Sequence, residues 1–198
     1  MDKFNQICED IKNLEIQGAV NVARKGLEAY SLKPSKETIR RLLSLRPTEP
    51  MLRNVLEYAE RFSVEDAFKL INKHFEKILN YGKKFIKSKR KIFTHCHSSA
   101  VVGVLKLNKK LTVFNTETRP LFQGRKTSEE LSKAGINIIE IVDAAALEYI
   151  EKSDAVVFGA DAILDNGDVI NKIGSGLYAE IANLHKKPVY IITDSLKY

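Results

Sequence analysis

From residue 91 onward, short apolar runs at 92–94, 111–115, 137–142, 155–158 and 189–193 punctuate the chain. The stretches between them, 99–107, 128–134, 144–151 and 176–185, carry helical spacing. Runs this short are strands rather than helices, and strict alternation of strand with helix specifies a mostly parallel, doubly wound, Rossmann-like α/β sheet. One segment departs from the alternation. Residues 163–170 place Asn166-Gly167 between apolar pairs, a strong local signal for a β-hairpin. Asp143 and Ser175 stand where helix N-caps are expected.

Upstream of this region the pattern is helical throughout, so a break near Ser88 divides the chain into an N-terminal helical domain, 1–88, and a Rossmann-like α/β domain, 89–198. Phe4, Ile7, Cys8, Ile11 and Leu14 repeat at three- and four-residue intervals and predict a buried helical stripe, which makes Cys8 a core residue. A second helix is expected from Gly18 to Tyr30, and Lys33-Pro34-Ser35 ends it. Ile39, Leu42 and Leu43 line a third, and Pro47 and Pro50 bracket the loop after it. Ser63 with Asp66 resembles a capping box, after which Val64, Phe68, Ile71, Phe75, Ile78, Leu79 and Phe85 trace one face of a long helix. His74 lies off that face and is expected at the surface.

A chain of 198 residues with 44% hydrophobic and 29% charged residues has ordinary globular composition and can bury a core. No apolar run reaches the roughly 18 residues of a membrane span, and the Met1-Asp2-Lys3 start lacks the basic and apolar regions of a signal peptide, so no membrane partner and a cytoplasmic location are expected. Two isolated cysteines, Cys8 and Cys96, argue for free thiols in a reducing compartment. The net charge of +7 suits an anionic ligand or simple solubility. The densest basic cluster, Lys83, Lys84, Lys87, Lys89, Arg90 and Lys91, closes a helical pattern and reads as a solvated helix end. No nucleic-acid module surrounds it, so nucleic acid is not an expected partner.

The chemistry concentrates at strand ends. Cys96 follows the run 92–94 directly, in a strand-to-helix loop where helix amides and cations favour a thiolate. Asp161 follows Gly159-Ala160 at the end of another strand, and open α/β sheets bind ligands at the carboxyl ends of their strands. A thiol and a carboxylate facing one crevice would make a cofactor-free proton-transfer site. His95 and His97 flank Cys96, yet neighbours in extended chain point apart and no second ligand cluster exists, so no metal is expected. Ser98 and Ser99 open a helix suited to phosphate. Lys172, Gly174, Ser175 and Gly176 repeat the device before the last helix. With Arg119, Arg125 and Lys197 these loops favour a bisphosphorylated small molecule.

Four motifs carry a family resemblance: Thr94-His95-Cys96-His97-Ser98-Ser99; Glu117-Thr118-Arg119-Pro120 with Gln123-Gly124; Gly159-Ala160-Asp161-Ala162-Ile163; and Asn166-Gly167 followed by Asn171-Lys172-Ile173-Gly174. In order and spacing the sequence resembles the superfamily of sugar-phosphate isomerases and initiation factor 2B subunits, and most closely the archaeal ribose 1,5-bisphosphate isomerases. Ile16-Gln17-Gly18-Ala19 and Arg46-Pro47-Thr48 extend the resemblance into the helical half. It implies interconversion of ribose 1,5-bisphosphate and ribulose 1,5-bisphosphate in AMP breakdown, with Cys96 and Asp161 catalytic and no cofactor. Gln17, Gly18, Ala19, Val20, Arg46, His97, Ser98, Ser99, Arg119, Asn171, Lys172 and Lys197 would hold the phosphates and hydroxyls. AMP as an activator and homo-oligomeric dimers or hexamers are implied as well.

The alternative within the same superfamily is a non-catalytic, initiation factor 2B-like regulatory subunit that binds nucleotide or a partner protein. The thiol favours the enzyme. Two departures are expected to matter: Gln17 stands where the family carries Arg, weakening a phosphate contact, and the family's C-terminal segment is not expected beyond Ser195-Leu196-Lys197-Tyr198.

Overall fold

The computed structural model describes residues 2–198. These form two compact units: the chain up to Glu76 with Asp161–Ile170 and Asp194–Tyr198, and Lys77–Ala160 with Asn171–Thr193. The partition is discontinuous, whereas a single break near Ser88 was the sequence expectation. The last turn of the chain belongs with the N-terminal helices because Leu196 joins their apolar core and Asn54 Nδ2 donates to the carbonyls of Leu196 and Tyr198, at 2.9 and 3.0 Å.

The first unit is built on α1 (Lys3–Lys12), α2 (Ala19–Leu32), α3 (Lys36–Leu45), α4 (Pro50–Arg61) and the start of α5 (Val64–Ile86). Four of these starts have a side-chain signature. The Asp2 and Ser35 side chains accept from Asn5 N–H and Thr38 N–H, and Pro50 occupies the first position of α4, where a missing N–H costs nothing. The Ser63 hydroxyl accepts from Asp66 N–H at 3.0 Å, the first half of a capping box, and donates to the Asp66 carboxylate at 2.7 Å. Cys8 is buried among Ile7, Ile11, Leu27 and Leu42, a core residue as its spacing requires.

The hairpin in this unit pairs β5 (Ala162–Ile163) antiparallel to β6 (Val169–Ile170). Leu164 N–H donates to Asp168 O, Gly167 N–H donates to Leu164 O, and Gly167 has φ +87°. The loop therefore has three residues, Asp165-Asn166-Gly167, with the glycine in the left-handed position that follows a type I turn.

The second unit is the predicted α/β layer. Its strands are β1 (Lys91–Thr94), β2 (Thr112–Thr116), β3 (Asn137–Ile141), β4 (Ala155–Phe158) and β7 (Val189–Ile191), all parallel in the order β3-β2-β1-β4-β7. Alternation of side chains puts Ile92, Val113, Ala155 and Val157 on one face, with α6 (Ser99–Leu105) and Leu131 of α7 (Gln123–Lys133). Phe93, Phe114, Val156 and Phe158 occupy the other face, with α8 (Ala146–Glu151) and α9 (Ser175–Leu184). Central strands covered on both faces are apolar on both, which is why β4 is the uninterrupted run Ala155-Val156-Val157-Phe158 and β1 buries the adjacent pair Ile92-Phe93 rather than alternating. The strand order reverses between β1 and β4, so their carboxyl ends flank the topological switch point, where this fold class places ligands.

Neither expected cap is one. Gly174, at φ +100°, precedes α9, and Ser175 is its first residue; Val142 precedes the short 3-10 turn Asp143–Ala145. No helix among the described residues is long and apolar enough to cross a membrane.

Candidate active site

Cys96 lies two residues past the end of β1, in the left-handed region at φ +66°. A non-glycine residue there costs roughly 1–2 kcal/mol and persists only where its surroundings hold it. Two buried threonines do so. Cys96 N–H donates to Thr118 Oγ1 at 2.9 Å, and the Thr127 hydroxyl donates to Cys96 O at 2.9 Å. The Thr118 turn is itself anchored by Asp143, whose carboxylate accepts from Thr118 N–H at 3.0 Å and Arg119 N–H at 2.7 Å. This is why Asp143 does not cap its own helix: its carboxylate serves the neighbouring loop instead.

The two histidines are fixed by different partners. His95 is 5% exposed, with Nδ1 2.5 Å from Thr116 Oγ1 and Nε2 2.9 Å from Ile173 O. Burial lowers its pKa, so the ring is neutral at pH 7. A carbonyl only accepts, which assigns the proton to Nε2 and leaves Nδ1 to accept from Thr116. His95 thus ties the cysteine loop to the 171–174 loop. Gly174 is required at that junction, because a Cβ there would sit 3.3 Å from His95 Nε2 in addition to the positive φ.

His97 is turned the other way. Its Nδ1 lies 3.0 Å from Thr127 Oγ1, and since Thr127 already donates to Cys96, the imidazole is the donor. Burial first, and then Lys126, bring the His97 pKa down to about 4. The ring is therefore uncharged at pH 7, and Glu130 Oε1, 3.7 Å from Nε2, faces a neutral group.

Around this loop the sequence-predicted residues take distinct positions. Ser98 caps α6 by accepting from Val101 N–H, and Ser99 begins the helix. Gly159 makes room for Ser98: a Cβ there would meet Ser98 Oγ at 2.6 Å. The glycine after β4 thus accommodates a neighbouring loop. Asn171 Nδ2 donates to Ser175 Oγ at 2.9 Å, and Lys172 lies near enough to His95 to oppose its protonation. Arg119 is exposed, with its guanidinium 4.7 Å from the Phe122 ring centroid. Arg125 is engaged by Phe122 at 3.8 Å and by Glu117 and Glu140 at 3.3 and 3.7 Å.

In the first unit, Asp161, Lys197 and Arg46 come together with residues the sequence did not single out. Lys197 is 4% exposed; burial lowers its pKa, while Asp194, Asp161 and Glu49 oppose that shift. Burial and the charge of Asp161 raise the Glu49 carboxyl, against Arg46 and Lys197. Arg46 Nη2 stands 3.7 Å from Glu49 Oε1. His74 is partly buried, with Nδ1 3.4 Å from Asp194 Oδ1, which corrects the expectation of a surface histidine. Gln17, Gly18, Ala19 and Val20 form the entry to α2, with Gly18 at φ +83° and Asn21 Nδ2 donating to Gln17 O.

Sequence reasoning missed His95 as a strut, the threonines 116, 118 and 127, and Glu49. Thr-x-Thr at the end of β2 was the available signal for two of them. Glu49 gave none, because an acid before Pro50 at a helix start reads as a cap. Among the described residues no cluster of His, Cys, Asp or Glu is arranged to hold a metal ion.

Comparison with known proteins places this geometry in context. Residues 37–198 match the initiation factor 2 subunit family. Ribose 1,5-bisphosphate isomerase of Methanocaldococcus jannaschii is 38% identical, over 100% of this chain and 74% of its own length. The enzyme of the same name from Thermococcus kodakarensis is 36% identical, over 98% of this chain and 72% of its own. Among solved structures, the translation initiation factor eIF-2B of Pyrococcus horikoshii superposes with a TM-score of 0.92 at 22% identity, covering 100% of this chain and 80% of that one. At that identity the likeness concerns the fold.

Proposed function

This chain belongs to the initiation factor 2 subunit family, and from that premise we propose that it is the sugar-phosphate isomerase that interconverts ribose 1,5-bisphosphate and ribulose 1,5-bisphosphate. Relatives bearing that name align over nearly the whole chain at 36 and 38% identity, and this is the observation that carries the reading. The chemistry of Cys96, held at the switch point of a parallel sheet in a strained conformation, supports it.

In the proposed reaction Asp161 donates its proton to the ring oxygen as the furanose opens, and the Cys96 thiolate removes the proton from C2. The resulting enol is C1=C2–OH. The Cys96 thiol then returns a proton to C1, and the Asp161 carboxylate takes the proton of the C2 hydroxyl as the ketone forms. Both groups end as they began, and no atom is gained or lost. Ser98, Ser99, Asn171 and Lys172 serve the phosphates, with the α6 and α9 amide termini adding favourable dipoles. His97, uncharged and bonded to Thr127, contributes its backbone rather than a cationic ring.

The test is turnover of ribose 1,5-bisphosphate followed by NMR, with and without AMP, in wild type, Cys96→Ser and Asp161→Asn. The proposal expects ribulose 1,5-bisphosphate from the wild type and loss of more than about 100-fold in each variant. Undiminished turnover in either variant refutes the assigned roles, and AMP binding with no turnover refutes the enzyme. Homo-oligomeric assembly belongs to the same proposal and is checked by sedimentation.

A further inference from the structure

In a parallel sheet every strand begins at the same end, so the loops that enter the strands share one edge, opposite the carboxyl ends where Cys96 stands. Backbone bonds join these loops: Thr112 N–H donates to Arg90 O, Asp154 N–H to Lys91 O and Val156 N–H to Pro188 O, at 2.8, 2.8 and 2.9 Å. The basic cluster 83–91, which in the sequence only closes a helix, is thereby set beside Lys109 and Lys110 before β2 and Lys186 and Lys187 before β7. Asp154 senses both sides of this junction. Desolvation would raise its pKa, but the Lys91 and Arg90 amides and the charges of Lys89 and Lys187 hold the carboxyl below its usual range. The surplus of basic residues behind the net charge of +7 lies wholly in this unit, since the first unit has slightly more acids than bases.

Local acids do not neutralise this edge. Glu130, Glu129 and Glu148 pair with other lysines, Lys106, Lys133 and Lys152, and Asp154 Oδ2 accepts from the Arg90 and Lys91 amides at 2.7 and 2.9 Å. Helices α5 to α9 all end here, and each carboxyl terminus offers only about −0.5 charge. Lys87, Arg90, Lys110 and Lys186 remain exposed. Aromatic rings stand among the cations: Lys89 Nζ lies 5.7 and 5.5 Å from the ring centroids of Phe85 and Tyr190, which pack together at 4.4 Å. Tyr81, four residues before Phe85 on the same side of α5, is 77% exposed. Strands about 4.8 Å apart make the edge of this five-stranded sheet roughly 19 Å long, which meets about five phosphates of a nucleic-acid strand rising ~3.4 Å per residue. The cations sit on loops pinned by strand hydrogen bonds, not on an amphipathic helix that could lie in a lipid headgroup layer. Cations for phosphates beside rings for bases are the pattern of surfaces that take single strands. We propose that the amino edge of the sheet binds single-stranded nucleic acid, through phosphate contacts along the loops and base stacking on Tyr81. This surface is separate from the cysteine loop and does not rest on the isomerase reading.

The experiment is fluorescence anisotropy with a labelled single-stranded RNA of about 15 nucleotides. It compares wild type with the combined change Lys87→Gln, Lys110→Gln and Lys186→Gln, and with Tyr81→Ala. A combined Lys12→Gln, Lys36→Gln and Lys73→Gln variant makes the same charge change on the first unit. With about five phosphates engaged, log K should fall against log salt with a slope near −3.5, a loss of roughly 100-fold between about 50 and 200 mM. Neutralising the three edge lysines should flatten that slope by about 2, while the first-unit variant should match wild type. Tyr81→Ala should weaken binding roughly 5- to 100-fold at an unchanged slope. An RNA left unbound by wild type overturns the proposal, as does an equal loss in the two lysine variants, which would mean net charge alone. Undiminished binding by Tyr81→Ala overturns it too, and so does a protein that sediments with phosphatidylserine vesicles while ignoring RNA.

Discussion

Replacing Thr118 by valine tests whether the cysteine conformation is held by the hydroxyl network. Thr118 is fully buried, and its Oγ1 is the acceptor for Cys96 N–H at 2.9 Å, 3.2 Å from Thr116 Oγ1. Valine keeps the shape and removes the acceptor. If the loop stays in place, the Cys96 amide is left unsatisfied, at about 1–3 kcal/mol. If the loop relaxes, it regains roughly the 1–2 kcal/mol stored in the left-handed backbone but moves the thiol. The two routes cap the loss of stability near about 2 kcal/mol, up to roughly a 30-fold change in the folded ratio. Turnover is expected to fall further, because a displacement of about 1 Å in a reacting group can cost on the order of 100-fold. Urea unfolding gives the first quantity and kcat the second, with Thr118→Ser expected to restore both. A valine variant within about 0.5 kcal/mol of wild type, with unchanged kcat, would refute the reasoning.

Other consequences follow from the same geometry. The His97 pKa is depressed to about 4, so its contribution to stability is fully present above the unfolded value of 6.5 and is lost as pH falls through 4. That contribution is on the order of 2 kcal/mol after allowance for partial solvent access, and unfolding midpoints between these pH values should slope less steeply in His97→Asn. Gly159→Ala drives a methyl into Ser98 Oγ, which a denaturant titration should register as a loss of about 1–3 kcal/mol. Tyr178→Phe should change stability by less than about 1 kcal/mol, since its hydroxyl donates to Asp143 O only at a long 3.4 Å.

The α/β layer was legible because strands covered on both faces must be apolar, and β4 coincides with the run 155–158. The Cys96 loop was legible for a related reason: an apolar strand stops and polar residues begin. Its supports were not, since Thr118 and Thr127 lie 22 and 31 residues away in sequence and reach Cys96 only through the parallel pairing of β1 with β2. Asp143 was misread because capping logic is local, while the carboxylate answers two amides on a neighbouring loop. His95 drew attention only as a metal ligand to be discarded, and its burial against Ile173 requires the fold to be seen. Glu49 was hidden by its position before Pro50, where an inward-turned acid and a capping acid have the same sequence signature.

The central claim is that the Cys96 thiolate and the Asp161 carboxylate serve the same sugar. Alkylation of Cys96 by iodoacetamide, followed with and without ribose 1,5-bisphosphate in wild type and in Asp161→Asn, reads this without requiring turnover. Ribose 1,5-bisphosphate should protect the thiol in the wild type, and Asp161→Asn should weaken that protection, because both groups are assigned to the same ligand. A thiol left unprotected in the wild type, or protected equally in both proteins, would contradict the account.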